Sequence, residues 1–178
     1  MKRNVEKIQR SSLLMRSMVF IVMLAFMAPI VANAQAGKVN FSGTWTLNTE
    51  KSDLGQGGGQ RMGGGNFVAT QEANLLTVVR TRTNQNGESV TTTSKYTLDG
   101  KESVNTSTRG ESKSVASWSA DGLTLNIATS WTMDRNGQSM TMKSTEIWTL
   151  TNAKTLTVQS SFTTQDGERK TTRVYDMK

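Results

Sequence analysis

Hydrophobic and polar residues alternate along most of the chain after residue 40, which is the period of a β-strand. Thr and Ser fill many of the polar positions, and no long stretch has the 3.6-residue period of an amphipathic helix. Turn signals separate the alternating runs, and several are Asn-Gly or Asp-Gly pairs, which accept positive φ angles. The pattern predicts ten strands, at 42–49, 66–72, 75–84, 89–98, 102–108, 113–120, 123–133, 138–151, 155–164 and 168–177.

Strands that follow one another through tight turns form an antiparallel meander. Such a sheet has two exposed edges unless it closes on itself, and closure as an up-and-down barrel removes them. The sequence therefore predicts an all-β protein, an antiparallel up-and-down (meander) β-barrel of about 8–10 strands, in a single domain over residues 37–178.

A glycine-rich segment at 54–66 interrupts the regular spacing after the first strand. It lacks the Gly-Lys-Ser/Thr ending that a phosphate-binding loop needs. We interpret it as a flexible loop of low complexity, and a flap over the barrel mouth is the alternative. Lys51-Ser52-Asp53, just before it, is interpreted as a cap on the first strand.

The first 34 residues follow a different pattern. A basic start leads into an uncharged apolar run at 18–31 and then into the small-x-small site Ala32-Asn33-Ala34. This order is typical of a secretory signal peptide, with cleavage after Ala34 or, alternatively, after Ala36. The run is shorter than the ~20 residues of a membrane span. We expect an exported protein, periplasmic or secreted, whose mature chain has no membrane span.

The charge of the chain depends strongly on that N-terminal segment. The full chain has a net charge of +7, but residues 1–34 hold five of its 21 Lys and Arg residues and one of its 14 acidic residues. The rest therefore has 16 basic against 13 acidic residues, a net charge of about +3. Because the basic residues are scattered rather than gathered on one face, we expect no nucleic-acid partner.

The chain contains no Cys and no His. A thiol nucleophile, a Ser-His-Asp relay and a histidine-based metal site are therefore excluded. There is also no evident pair of carboxylates for acid–base catalysis. We expect a non-enzymatic protein without a metal or cofactor.

The inward faces of the predicted strands carry both aromatic and charged residues. Alternation places these residues inside: Tyr96, Trp118, Trp131, Trp148, Tyr175, Arg80, Arg82, Glu146 and Arg173. An unpaired buried charge costs several kcal/mol, so charges inside a barrel indicate a cavity that holds water. Two interpretations of the charges remain open. Arg173 and Glu146 form a structural ion pair at one end, or they anchor a ligand.

Two terminal motifs resemble a known group. The stretch F-S-G-T-W-T-L (41–47) resembles the opening strand of the calycins, the lipocalin and fatty-acid-binding protein group, which begins with Gly-x-Trp. The resemblance implies that Gly43 lets the strand bend and that Trp45 closes the barrel end. The stretch T-T-R-V-Y-D-M-K (171–178) resembles the last strand of intracellular fatty-acid-binding proteins, where an Arg-x-Tyr pair holds the ligand carboxylate. The matching residues here are Arg173 and Tyr175.

Ten strands fit the fatty-acid-binding branch better than the eight-stranded lipocalins. That branch has a helical pair between its first two strands, where this chain has the glycine-rich segment. The nearest description is an exported bacterial lipocalin-like domain.

We therefore expect a barrel that binds a small apolar or amphipathic ligand, with a carboxylate-bearing ligand among the candidates. Arg173 and Tyr175 would anchor its polar end, with Arg80 a further candidate, and the apolar part would lie against Trp118, Trp131, Trp148 and Tyr96. The alternative is a non-enzymatic structural or interaction module of the cell envelope whose barrel is filled. The sequence identifies no protein partner.

Overall fold

The computed structural model describes residues 37–55, 65–83, 86–107, 110–135, 138–164 and 167–178. The predicted signal peptide with its cleavage site and the middle of the glycine-rich segment, 56–64, lie outside the described residues. Within those described ranges, no helix has the length and apolarity that crossing a membrane requires.

The structure confirms all ten predicted strands. They are β1 Gly43–Asp53, β2 Phe67–Gln71, β3 Leu75–Thr83, β4 Ser89–Thr97, β5 Glu102–Ser107, β6 Gly110–Trp118, β7 Thr124–Arg135, β8 Gln138–Asn152, β9 Thr155–Thr164 and β10 Gly167–Met177. The largest difference is at the end of β1, which continues through the segment predicted to be its cap. Gly100 and Gly122 occupy turns with φ of 79° and 72°, as the Asp-Gly signals predicted.

The strands form one antiparallel sheet in the order β4-β3-β2-β1-β10-β9-β8-β7-β6-β5. β1 pairs with both β2 and β10, so the first and last strands lie side by side and the sheet curls into a nearly closed barrel. The predicted up-and-down barrel is therefore confirmed.

Side chains, rather than a strand ladder, join β4 to β5 where the barrel would otherwise be open. The Asn105 side-chain amide accepts from the backbone N of Lys95 at 2.7 Å and donates to the carbonyl O of the same residue at 3.0 Å. The Ser103 hydroxyl accepts from the backbone N of Thr97 at 2.8 Å. These bonds pair backbone groups that an open sheet edge would leave exposed.

The Lys51-Ser52-Asp53 segment lies inside β1, at an irregularity in its pairing with β10. The Ser52 hydroxyl donates to the carbonyl O of Asn48 at 2.6 Å and accepts from the backbone N of Val174 at 2.9 Å. The hydroxyl thus replaces backbone partners where the ladder is interrupted, a role that strand alternation alone does not reveal.

Candidate functional site

Trp45 lies at one end of the barrel, near the start of β1. Its side chain is fully buried, and its indole N–H donates to the carbonyl O of Phe41 at 2.9 Å. Gly43 adopts φ of +154°, and a Cβ added there would lie 2.9 Å from the terminal methyl of Met177. The structure thus places both residues of the Gly-x-Trp motif at this end, which we call the base.

Five aromatic rings in contact fill the barrel above the base; we call Phe41, Phe67, Trp118, Trp148 and Tyr175 the aromatic floor. Phe41 stacks on Trp118 at 5.8 Å between centroids and meets Trp148 edge-on at 5.7 Å. Phe67 contacts Trp148 at 5.4 Å and Tyr175 at 4.9 Å. Three of the residues predicted to contact a ligand therefore pack against other rings, as the filled-barrel alternative expects for this half.

A charged pair lies directly above the aromatic floor. The Arg80 guanidinium is 3.5 Å from the Glu146 carboxylate and lies over the rings of Phe67 and Trp148 at 5.3 and 5.9 Å. The indole N–H of Trp148 donates to Oε2 of Glu146 at 2.9 Å. Sequence reasoning considered Arg173 as the partner of Glu146, and the ion pair that the structure shows there is with Arg80. β3 and β8 are distant in the chain and in the strand order, so only closure of the barrel brings the two residues together.

The environment of the pair favours the ionised guanidinium. Burial lowers the pKa of Arg80, but the Glu146 carboxylate and the Tyr96 and Tyr175 phenols together outweigh it, and the pKa is raised above its ordinary value. Arg80 is therefore a permanent cation inside the barrel. The two side chains are 20% and 25% exposed, so solvent reaches this part of the inner face.

Arg173 lies on the same inner face and is buried, with 3% exposure. Its Nη1 donates to the Ser160 hydroxyl at 3.0 Å. Tyr175, two residues further along β10, shares that face and is 1% exposed. Tyr96 is also buried, at 8% exposure.

The two phenols remain protonated near neutral pH. Burial raises the pKa of Tyr96 and of Tyr175, although the nearby Arg80 guanidinium opposes the shift in both. Each phenol therefore has an O–H group at neutral pH. The structure brings these phenols close to Arg80, which sequence spacing alone did not predict.

The inner face toward the opposite end, the mouth, has both apolar and hydroxyl side chains. Trp131 stacks on Phe162 with 5.5 Å between centroids and 18° between planes, and Trp131 pairs with Met142 across β7 and β8. Ser114 and Thr129 share a hydrogen bond of 2.9 Å on the same face. We call this half, between the charged pair and the mouth, the upper chamber. Of the four predicted tryptophan and tyrosine lining residues, Trp131 is the one that lies here.

Two inward polar atoms in this region have no hydrogen-bond partner among the described residues. They are Nε of Arg80 and the hydroxyl of Thr171, and both are buried. Most buried polar atoms in proteins have a partner in the protein or in water. Both atoms therefore have hydrogen-bonding capacity that the described residues do not use.

Other candidate binding sites in the described part of the chain have fewer features of a ligand site. A groove of about 400 Å³ lies on the outer face of β8, β9 and β10, and its lining includes Ile147, Gln159 and Lys170. No group of three or more acidic side chains placed to hold a metal occurs in the ranges that the structure describes. The inner face remains the better candidate site because it combines charge, burial and aromatic rings.

Comparison with known structures supports the fold. A crystal structure of zebrafish ileal bile acid-binding protein complexed with cholic acid superposes on this chain with a TM-score of 0.50 and 16% sequence identity. The match covers 78% of this chain and 98% of that protein. No family model and no curated protein matches the chain. The fold is a calycin-like β-barrel, as the two terminal motifs indicated, and at this identity the likeness shows the fold alone.

Sequence reasoning missed several residues of the site. Phe41 and Phe67 complete the aromatic floor, Ser160 holds Arg173, and Thr171 contributes an unpartnered hydroxyl. Thr171 alternates with Arg173 and Tyr175 along β10, and this alternation was the signal that could have found it. Contacts across the barrel carry no local signal, which is why the Arg80–Glu146 pair was not predicted.

Proposed function

We propose that this protein binds a small amphipathic ligand in the upper chamber, with the polar end of the ligand toward Arg80 and Arg173. The observation that carries the proposal is the Arg80–Glu146 pair on the inner face of the barrel, which solvent reaches in part above a packed aromatic floor. A barrel that served only as a scaffold gains little from Arg80 and Glu146 in its interior, because desolvating a charge is costly.

The chemistry of the chamber favours a ligand with an anionic group and an apolar body. Arg80 and Arg173 both place guanidinium groups on the inner face, and guanidinium groups bind carboxylates through paired hydrogen bonds. The Trp131–Phe162 stack provides the apolar wall on the mouth side. A binding protein rather than an enzyme fits this set, since the chain has no His or Cys.

The test is calorimetric titration of the protein with dodecanoate, with wild type compared with Arg173→Ala. A hydrogen bond to a charged group contributes about 1.5–3 kcal/mol, so loss of this contact should weaken binding by about 10-fold or more. Lys170→Ala removes a cation from the outer face of the same strand and should leave binding unchanged. Absence of binding, or equal binding by wild type and Arg173→Ala, would contradict the proposal.

The second candidate function is a structural or interaction module with no small ligand. The aromatic floor favours it, because five rings in contact with one another occupy the lower half of the barrel. Under this alternative, displacement of an environment-sensitive dye would fail for every amphipathic probe. Stability would then be the property that changes most in variants of the upper chamber.

We also propose that residues 1–34 are a cleaved signal peptide and that the mature protein is periplasmic or secreted. The support is the basic, apolar and small-residue order of this segment. Expression of the full chain in a bacterial host followed by cell fractionation and intact-mass measurement tests it. A mature N-terminus at Gln35 or Gly37 outside the cytoplasm is expected, and an uncleaved cytoplasmic chain would contradict it.

A further inference from the structure

Glu146 is the feature of the chamber that a site for a plain carboxylate does not explain. Both of its recorded contacts, from Trp148 at 2.9 Å and from Arg80 at 3.5 Å, are made by Oε2. Oε1 makes no such contact with the described residues, and the side chain is 25% exposed. Solvent therefore reaches the Glu146 side chain in part, and a ligand in the chamber could approach its carboxylate.

Glu146 belongs to a row of inward polar side chains that crosses three strands; we call Glu146, Ser160 and Thr171 the polar row. Ser160 pairs directly with Glu146 on one side and with Thr171 on the other. Directly paired residues have Cβ atoms roughly 4.5–5.5 Å apart on the same face. Arg173 is bonded to Ser160, the middle member, so a ligand group that binds Arg173 is close to Glu146.

This closeness disfavours a ligand whose polar end contains only an anion. Two like charges a few ångströms apart repel, even when solvent weakens the interaction. A hydrogen-bond donor next to the anion offsets this repulsion, because it can donate to the Glu146 carboxylate while the guanidiniums bind the anion. The unpartnered hydroxyl of Thr171 adds a further hydrogen-bonding group at the end of the same row.

We infer that Glu146 determines specificity by favouring a ligand whose anionic group has a neutral hydrogen-bond donor on the adjacent carbon, as in a 2-hydroxy acid, over a plain carboxylate of the same chain length. The inference rests on the proposed function. It adds one chemical group, a hydrogen-bond donor, to the expected ligand. Arg80 and Arg173 would bind the anionic group, and Glu146 would distinguish the hydroxy acid from the plain carboxylate.

The experiment compares the dissociation constants of 2-hydroxydodecanoate and dodecanoate by titration calorimetry. One additional hydrogen bond to a charged acceptor should make wild type bind the hydroxy acid more tightly than dodecanoate, by about 10-fold or more. Glu146→Gln keeps the size of the side chain and removes its charge. It should strengthen dodecanoate binding and reduce the ratio of the two constants to about 2-fold or less.

Two further variants make the result specific. Glu111→Gln removes the same charge from an exposed position on β6 and should leave the ratio as in wild type. Glu146→Asp keeps the charge and should keep dodecanoate the weaker ligand, which gives a second readout if Glu146→Gln folds poorly. Circular dichroism of each variant establishes that it is folded.

Equal affinity of wild type for the two acids would overturn the role of Glu146 and leave the proposed function in place. So would a ratio that Glu146→Gln does not change, or one that Glu111→Gln reduces equally. Failure of folded wild type to bind either acid would overturn the proposed function as well. The two failures are therefore distinguishable in one set of titrations.

Discussion

The two halves of the barrel use the same strand alternation for different purposes. Toward the base, the inward positions carry large apolar side chains that are almost completely buried, such as Trp45, Leu76 and Leu156. Toward the mouth, the inward positions carry Arg80 and Glu146, which solvent reaches in part, and the hydroxyl groups of Ser114 and Thr129. The difference shows that burial on the inner face is not uniform along a strand, and we expect the base to contribute most to stability and the chamber to hold the proposed ligand.

The largest expected effect comes from removing a tryptophan from each half in turn. Trp45→Ala should lower the free energy of unfolding by about 3–5 kcal/mol, because a fully buried ring leaves a cavity. Trp131→Ala, in the partly exposed chamber, should cost about 1 kcal/mol and weaken ligand binding instead. Urea denaturation followed by circular dichroism measures both. Equal destabilisation by the two substitutions would remove the distinction between the halves.

The next effect concerns the charged pair at the boundary between the halves. Arg80→Met leaves Glu146 without its cation, and we expect a loss of about 1–3 kcal/mol, less than for a fully buried pair because solvent reaches both groups. Adding Glu146→Gln should recover part of that loss, since the unpaired charge is then removed. Thermal and urea denaturation of the single and double variants measure it.

The exposed Lys113–Glu102 pair, at 3.4 Å, provides the control for this experiment. Lys113→Met should change the free energy of unfolding by at most about 1 kcal/mol. A double variant at Arg80 and Glu146 that is less stable than Arg80→Met alone would show that the pair is not what makes Glu146 tolerable inside the barrel.

Removing side-chain hydrogen bonds between β4 and β5 should have a smaller effect on stability. It tests whether the barrel opens less readily toward its base than toward its mouth. Asn105→Ala removes two hydrogen bonds to Lys95 and should cost about 1 kcal/mol. Amide hydrogen exchange should then accelerate at Lys95 and remain slower at Thr97, which Ser103 still holds. Acceleration of both amides together would indicate that the two halves open as one unit.

The smallest effect is electrostatic and lies in the turn between β4 and β5. Hydrogen bonds from the Lys101 side chain and backbone lower the pKa of Asp99 to about 2. Because the folded pKa is below the unfolded one, the stabilisation is complete above about pH 4 and is lost as the pH falls toward 2. Asp99→Asn should flatten the stability profile in that interval, and NMR titration of the carboxyl group checks the pKa. A normal pKa for Asp99 would contradict the expectation.

Much of the fold was predictable because its signals are local. A period of two marks each strand, and Asp-Gly pairs mark turns whose glycines adopt positive φ, as at Gly100 and Gly122. The inward side of Trp148 and Arg173 follows from the same alternation. The site was predictable only as a set of inward residues, because alternation says which face a side chain occupies and nothing about its partner across the barrel.

The role of Ser52 shows the same limit at smaller scale. Its hydroxyl bridges Asn48 and Val174 at an irregularity of the β1–β10 ladder. The irregularity arises from how two strands from opposite ends of the chain align. No pattern within β1 reports that alignment, and so the segment appeared to be a cap.

The sequence by itself determined the ten strands, their inward faces and the meander that joins them, because each depends on neighbouring residues and on backbone conformation. Only the tertiary structure decided that Phe67 completes the floor, that Arg80 pairs with Glu146, and that Arg173 bonds to Ser160. The physical reason is closure. Curling the sheet brings the inner faces of strands that are far apart in the chain together. Which charges and rings come into contact then depends on the distances that closure sets.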